Sequence, residues 1–511
     1  TLAQLNTAYD ALVNPVASGL VLTSSTTDVA TGDANDNTIT GNQVTFDNTD
    51  SITGGAGTDT LAITNTAAGT YVPSLLSGVE NIQMTSFAAS SINLVVATGV
   101  EKVISLNSTA ADTFSNVQSL ASVEVDGSSN ATTVSYADAL VTATAEVAVE
   151  VKGGATVSVL NIGAAGGDEF TVVNITSSGT AANTITLLED AASSAVGDLA
   201  TVNVTGSADL TLGTGVTALA GNNSSADMTL NAADATGDLT VTGTNFESIT
   251  LGAGNDTLLV SATQVSGTSA AVTLDGGAGS NTLDLGAQDL TAAGIANSTN
   301  DDDVISNFQT VVNTTGVAAS GAAAVTATVD AKAFDGITAI KFEGVQADTT
   351  GDDDLIMKVT SVTEDVTIDI AATDSSTGNS ELDVQLVANS ASGANTANLK
   401  LTSAAVDVLD LDQLADTGGT ADVDESAWFT GLNLTANNST DGVEVATLQG
   451  YEVTSVDIGG EGAVTIAAVD LVDSGANEAG TAAADRDDQV ITINSEDLTG
   501  ALSLTTAEAN A

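Results

Sequence analysis

LLSGVENIQMTS (Leu75–Ser86), VATGVEKVISLNS (Val96–Ser108) and SLASVEVDGSS (Ser119–Ser129) are three passes over one pattern, a small-residue turn followed by alternating apolar residues. Ile82, Val103 and Val123 occupy equivalent places in the three copies, and their near-constant interval falls inside the range of periods that marks a repeat architecture. A unit of that length holds one coil of a solenoid. Alternation with a period of two makes each copy a strand with one face turned inward. Stacked coils then lay equivalent strands side by side in a parallel sheet. Looser echoes follow at GTNFESITLGAG (243–254), ISNFQTVVNTTG (305–316) and AFDGITAIKFEG (333–344), where a phenylalanine leads into the strand.

The composition points the same way. Of 511 residues 42% are hydrophobic, enough for a core, yet only 3% are aromatic and 2 are proline. The remainder is mostly small or β-branched, which favours strands over helices and makes an all-β chain the expectation. Acidic residues number 66 against 7 basic ones, a formal net charge of -59. Such a chain is a poor partner for nucleic acid or an anionic membrane surface and a good one for divalent cations. Internal salt bridges cannot balance the excess, so ions must screen or neutralise it.

Cysteine and histidine are both absent, which removes disulfides, thiolate and imidazole catalysis, and the nitrogen and sulfur ligands that zinc prefers. Glycoside hydrolysis by an acid pair survives this filter, although 66 carboxylates make any one pair unspecific. Apolar runs such as INLVVATGV (92–100) are strand-sized, so no membrane insertion is expected. The chain begins at Thr1 without a basic-then-apolar leader. A secretion signal is therefore expected to have been removed, to lie elsewhere in a precursor, or to be C-terminal.

Two regions differ from the repeat. In TLAQLNTAYDALVNP the residues Leu2, Leu5, Tyr9, Leu12 and Val13 fall at helical spacing before Pro15, which predicts a short helix within residues 1–18, either a cap on the β structure or an anchor. Beyond about residue 300 the acidic runs NDDDV (300–304) and TGDDDLIM (350–357), the segment VDVLDLDQLADTGGTADVDESAWF (406–429) and the loss of glycine turns mark a change of composition. Residues 301–511 are accordingly expected to form a second acidic β region, solenoid or sandwich-like, carrying assembly contacts.

The chemistry lies in the glycine turns. SITGGAGTDTLAIT (51–64) contains Gly54, Gly55, Gly57, Asp59 and Leu61 at every defined position of the nonapeptide G-G-x-G-x-D-x-U-x. Its glycines let carbonyl oxygens face inward, and Asp59 adds a carboxylate, a donor set suited to calcium. A second copy, LGAGNDTLL (251–259), keeps Gly252, Gly254 and Asp256 but has Leu251 in the first glycine's place. A third, GGAGSNTLD (276–284), keeps Gly277 and Gly279 but carries Asn281 for the aspartate, with Asp275 and Asp284 flanking it as possible replacements. TGDANDNTITG (31–41) is a degenerate form holding Asp33 and Asp36, and Asp36 precedes Asp59 by about one coil. With Asp50 nearby, it is the expected complement to a turn that cannot close a site alone. For any single copy the alternative is a glycine turn that holds no metal.

These turns, together with the GVENI and GVEKV strands, resemble repeat-in-toxin (RTX) proteins exported by type I secretion, most of all the calcium-dependent S-layer proteins. The resemblance covers residues 25–300. It implies a right-handed parallel β-solenoid or β-roll over 19–300 that binds several calcium ions, crosses the exporter unfolded and folds outside the cell. In S-layer members calcium also cements neighbouring subunits. By motif position, Gly54, Gly55, Gly57 and Asp59, and likewise Gly252, Gly254 and Asp256, resemble the family's ligand-bearing turns. The copies here are solitary rather than tandem, so a regular row of ions is not expected.

The expectation is thus a non-enzymatic, extracellular, cell-surface structural protein that assembles with copies of itself into a calcium-stabilised layer, with cell-surface polysaccharide as a candidate anchor. A filament of stacked solenoids, and an RTX-type adhesin or carboxylate-only glycan-active enzyme, are the alternatives. Asp301 to Asp303 and Asp352 to Asp354 are either further calcium ligands or solvated faces. Trp428 and Phe429 beside Asp424 and Glu425 make either a core contact or a sugar-stacking platform.

Overall fold

The interval of the repeat becomes register. In the computed structural model Ile82, Val103 and Val123 are direct partners in adjacent parallel strands. The structure describes residues 20–142, 144–164, 170–186, 188–189, 199–213, 228–243, 246–260, 272–285, 304–313, 325–343, 345–346, 355–371, 373–374, 382–388, 395–402, 405–411, 429–438, 442–451, 453–472 and 491–505. The chain divides into two units, Thr1–Thr257 with Gly277–Gly279, and Leu258–Gly276 with Ser280–Ala511.

In the first unit the strands Thr38–Asn42, Thr60–Asn65, Asn81–Ser86, Lys102–Leu106, Ser122–Asp126, Glu146–Lys152, Val172–Ser177 and Thr201–Gly206 pair in that order, all parallel. Their inward positions stack Ile39, Leu61, Ile82, Val103, Val123, Val149, Ile175 and Val204 into one column. None of the eight is more than 3% exposed. A second face contributes Ala30, Ile52, Leu76 and Ala97, and a third contributes Tyr71, Ile92, Phe114, Val134 and Ile162. The core is therefore the inside of the coil. Each apolar side chain sits on the one above it, burial that stabilises by about 1.5–3 kcal/mol per Val, Leu or Ile.

Coil length is not constant. The steps from Val123 to Val149, on to Ile175 and on to Val204 are each longer than the step from Ile82 to Val103 or from Val103 to Val123. From Val149 onward the coils carry a further strand position, Thr156–Val157, Asn183–Ile185, Leu210–Leu212 and Leu239–Thr242, which pair in that order.

The second unit is built by the same rule. Leu283, Val311, Ile340, Ile368, Leu399, Leu434 and Ile458 are successive partners in parallel strands, each at most 2% exposed. A second parallel sheet runs Val325–Asp330, Leu355–Val362, Leu382–Ala388, Ala405–Asp410, Val443–Tyr451, Val464–Val472 and Leu502–Leu504. The sandwich-like alternative for residues 301–511 is thus replaced by more solenoid. The steps in the first of these columns are long and unequal, shortest from Leu434 to Ile458 and longest from Leu399 to Leu434. They dilute the alternation with intervening chain, which is why a short period fades from the sequence there.

The only helical elements among the described residues are single turns at Asp138–Leu140 and Ala331–Ala333. The helix expected in 1–18 lies outside the described residues, as do Asp301 to Asp303, Asp352 to Asp354, Asp424, Glu425 and Trp428. Phe429 is buried at the start of its strand, a core contact.

Ile82→Ala, in the inward column, is expected to destabilise the chain by about 2–5 kcal/mol. Gln83→Ala, one residue along on the outward face, should cost less than about 0.5 kcal/mol. Urea denaturation of the two variants checks this.

Candidate metal centre

The opening glycine turn joins the strands Ser51–Thr53 and Thr60–Asn65, and its glycines are required by the coil beside it. A Cβ added to Gly54 would lie 1.7 Å from the Gly78 carbonyl oxygen and 2.5 Å from Asp59 Oδ2. Gly57 has a φ of 109° and packs on the backbone of Asn35 and Asp36. Successive turns thus lie backbone on backbone, a distance that side chains would prevent.

At these corners the strand ladder stops, and acceptor side chains take over its hydrogen bonds. Asp59, fully buried, accepts the Asn37 N–H on Oδ1 at 2.6 Å. The Asp59 N–H donates to Glu80 Oε2 at 2.7 Å. Asn37 Oδ1 accepts the Asp33 N–H at 2.7 Å, and Asp36 Oδ1 accepts the Thr58 N–H at 2.8 Å. Asp50, also buried, accepts the Asp28 N–H on Oδ1 at 2.8 Å and the Asp47 N–H on Oδ2 at 2.7 Å. Each of these side chains fastens one coil to the next or closes its own turn.

The register revises one pairing read from the sequence. Thr38 and Thr60 are partners, so the residue equivalent to Asp59 one coil earlier is Asn37 rather than Asp36. In that register Gly32 and Ile39 match Gly54 and Leu61, while Asp33, Asn35 and Asn37 stand where the opening turn has Gly55, Gly57 and Asp59.

The other two copies repeat the logic. Asp256, 1% exposed, accepts the Leu239 N–H on Oδ1 at 2.8 Å and the Gly252 N–H on Oδ2 at 3.1 Å. Gly252 and Gly254 press on the Ala235 and Gly237 carbonyls. Gly277 and Gly279, both at positive φ, lie against the carbonyls of Gly252 and Gly254. In the second unit the Asn281 N–H donates to Gln309 Oε1 at 2.6 Å, and its Nδ2 donates to the Asn307 carbonyl at 3.0 Å. Asp275 Oδ1 accepts from Asn307 Nδ2 at 2.7 Å. Asp275 and Asn281 therefore meet on Asn307, while Asp284 ends its strand opposite Val312.

Burial pushes the Asp59 carboxyl above the usual range, the Asn37 N–H opposes this, and the charges of Glu80, Asp36 and Asp33 add to it. Asp256 is raised chiefly by burial, against the pull of its two backbone donors. Exposed Asp33 is lowered, first by the Asn35 N–H.

Calcium, which the resemblance implies, can be tested against these donors. The opening turn fits in part, because Asp59 Oδ2 is buried without a hydrogen-bond partner and three further carboxylates stand close enough to raise its pKa. The second copy fits poorly, since both Asp256 oxygens already hold backbone N–H groups. The third has an amide in the ligand position. Among the described residues no three carboxylates come together closely enough to hold a metal. Asparagine and aspartate alternate at Asn37, Asp59 and Asp256, where a side-chain oxygen accepts a backbone N–H whether or not it carries a charge.

Glu80 was not singled out by the sequence, where GVENI reads only as the start of a strand. Nor was Asn183, whose Oδ1 accepts the Gly154 and Ala155 N–H groups at 3.1 Å each. An acceptor side chain one coil away from a glycine turn is the signal that finds them.

Lysines are engaged elsewhere. Glu124 lies between Lys102 and Lys152, each at 2.7 Å, and Asp369 pairs with Lys400 at 2.6 Å and neighbours Lys341 in register. Burial opposes ionisation of Glu124, but the hydrogen bonds and charges of its two lysines outweigh it and hold the carboxyl below its usual range. No protein-family model matches this chain, and no curated protein does.

Two pH effects of opposite sign follow. A folded-state pKa above the unfolded one means that stability is full below the unfolded value and declines as pH rises through the folded one. Without calcium, Asp59→Asn should therefore raise the urea midpoint at pH 7 and leave it unchanged near pH ~3. For Glu124, held low, stability is present above the unfolded value and is lost on acidification. Glu124→Gln should cost about 1 kcal/mol at pH 7, with the difference gone near pH ~3.

Proposed function

We propose that this chain is an extracellular structural subunit that assembles with copies of itself into a calcium-stabilised surface layer, and that it has no catalytic activity. The observation that carries this reading is the charge of the stacked coils. Four of the chain's 7 basic residues are already held in ion pairs within the chain, Lys102 and Lys152 on Glu124, Lys400 on Asp369 and Lys341 on Glu343. The formal excess of -59 is therefore left for external ions to neutralise, and two copies repel until cations lie between them.

Calcium suits that role through its oxygen ligands and its ability to join carboxylates from different chains. Within a subunit the Asp59 turn is the place where it would add most, since a cation there relieves a buried, partnerless oxygen and three neighbouring charges. Binding only the folded state stabilises it by mass action. Sites outside a cell can be weak, with Kd of about 10⁻⁴–10⁻³ M.

Electron micrographs of the purified chain with calcium and with EGTA test the reading. Ordered sheets that disperse on chelation are expected. Threads in place of sheets would favour the filament, and single particles under both conditions would overturn assembly altogether. Asp59→Ala should shift the calcium dependence of melting to higher concentration, and an unchanged titration would remove Asp59 from the site.

A further inference from the structure

Besides the aspartates at the glycine turns and corners, the first unit buries a further carboxylate, Asp112, which has no ion pair among the described residues. Ser105 interrupts the inward column Ile63, Met84, Ser105, Val125, Val151. Asp112 stands in the column Gly69, Ser90, Asp112, Thr132, Leu160. Asp112 is fully buried and Ser105 is 1% exposed. Ser105 Oγ donates to Asp112 Oδ2 at 2.6 Å and lies 2.9 Å from Ser128 Oγ. Ser128 Oγ accepts the Ser108 N–H and Ser108 Oγ accepts the Ser86 N–H, both at 2.9 Å. Ser86, Ser105 and Ser108 face the carboxyl, whose charged form is disfavoured by burial and favoured by those hydroxyls.

These contacts leave polar atoms over, most of them oxygens. Four buried side-chain atoms without a hydrogen-bond partner fall along this seam, the oxygens Ser86 Oγ, Asp112 Oδ1 and Thr132 Oγ1 and the nitrogen Asn65 Nδ2. Asn65 and Ser86 are register partners, as are Asp112 and Thr132. Orphaned atoms concentrated in this way indicate an enclosed ligand, because an empty polar chamber is costly.

We propose that the buried cluster of Ser86, Ser105, Ser108, Asp112 and Ser128 holds a single monovalent cation, sodium, with Asp112 as its charged ligand. All donors are oxygen, which selects a hard cation. One carboxylate among neutral hydroxyls selects a single charge, since a divalent ion would leave a net positive charge in a dry interior. Water alone would leave the carboxylate uncompensated. The site is separate from the glycine turns and does not depend on surface-layer assembly.

The test is thermal melting at pH 7 in EGTA, with sodium chloride against tetramethylammonium chloride at equal ionic strength. The large cation screens the surface but cannot enter the coil. Wild type should melt a few degrees higher in sodium, saturably, and Asp112→Asn should melt at the same temperature in both salts. Identical melting of wild type in the two salts overturns the proposal. So does a sodium effect that persists in Asp112→Asn, or a variant more stable than wild type in every salt, which would mark a bare or neutral carboxyl. Should Asp112→Asn not fold, Ser105→Ala keeps the charge and removes one ligand. It should raise the half-saturating sodium concentration several-fold, and an unchanged value counts against the site.

Discussion

Where a strand of one coil ends, its backbone N–H groups lose the carbonyls of the coil beside it, and a stacked fold depends on something else accepting them. Along the flat faces the parallel ladder does this. At the corners it falls to Asp50, Asp59, Glu80, Asn183 and Asp256, whose side-chain oxygens each reach a backbone N–H. An unmet buried N–H costs as much as the ladder bonds beside it contribute. The abundance of short acidic and amide side chains is thus partly a requirement of the backbone.

This changes how the acidic composition is understood. A carboxylate buried against backbone N–H groups is stabilised by them and harmed by its own desolvation, and the balance differs from corner to corner. Asp50 has both oxygens occupied by N–H groups, whereas Asp59 has one occupied and one orphaned. The second arrangement is the one that gains from a cation. The ion pairs among the described residues do not relieve it, because Lys102 and Lys152 serve Glu124, Lys400 serves Asp369 and Lys341 serves Glu343.

The parallel solenoid was legible where coils are short. Ile82, Val103 and Val123 repeat closely enough that alternation and period are visible together, and the structure pairs them as their spacing implies. Beyond residue 300 an apolar column of the same kind is built in another sheet, but its members Val311, Ile340, Ile368, Leu399 and Leu434 stand farther apart and less evenly, and a local pattern no longer exposes it. The glycine turns were legible as turns, since close backbone approach admits no other residue at Gly54. The role of their aspartates was not. Asn37 and Asp59 look different as metal ligands and alike as acceptors, and only register reveals that they are equivalent.

Unequal coil length has a consequence for how the chain finds its native pairing. A solenoid of identical repeats can slip by one whole coil at little cost, because each strand meets an equivalent neighbour. Here the column from Ile39 to Val204 passes through Leu61, Ile82, Val103, Val123, Val149 and Ile175 at intervals that lengthen after Val123, so a coil fits its own neighbour better than the next. Displacement by one coil would leave corner acceptors away from the N–H groups they match. The irregularity that hides the repeat from a reader of the sequence is a proofreading device for the chain itself.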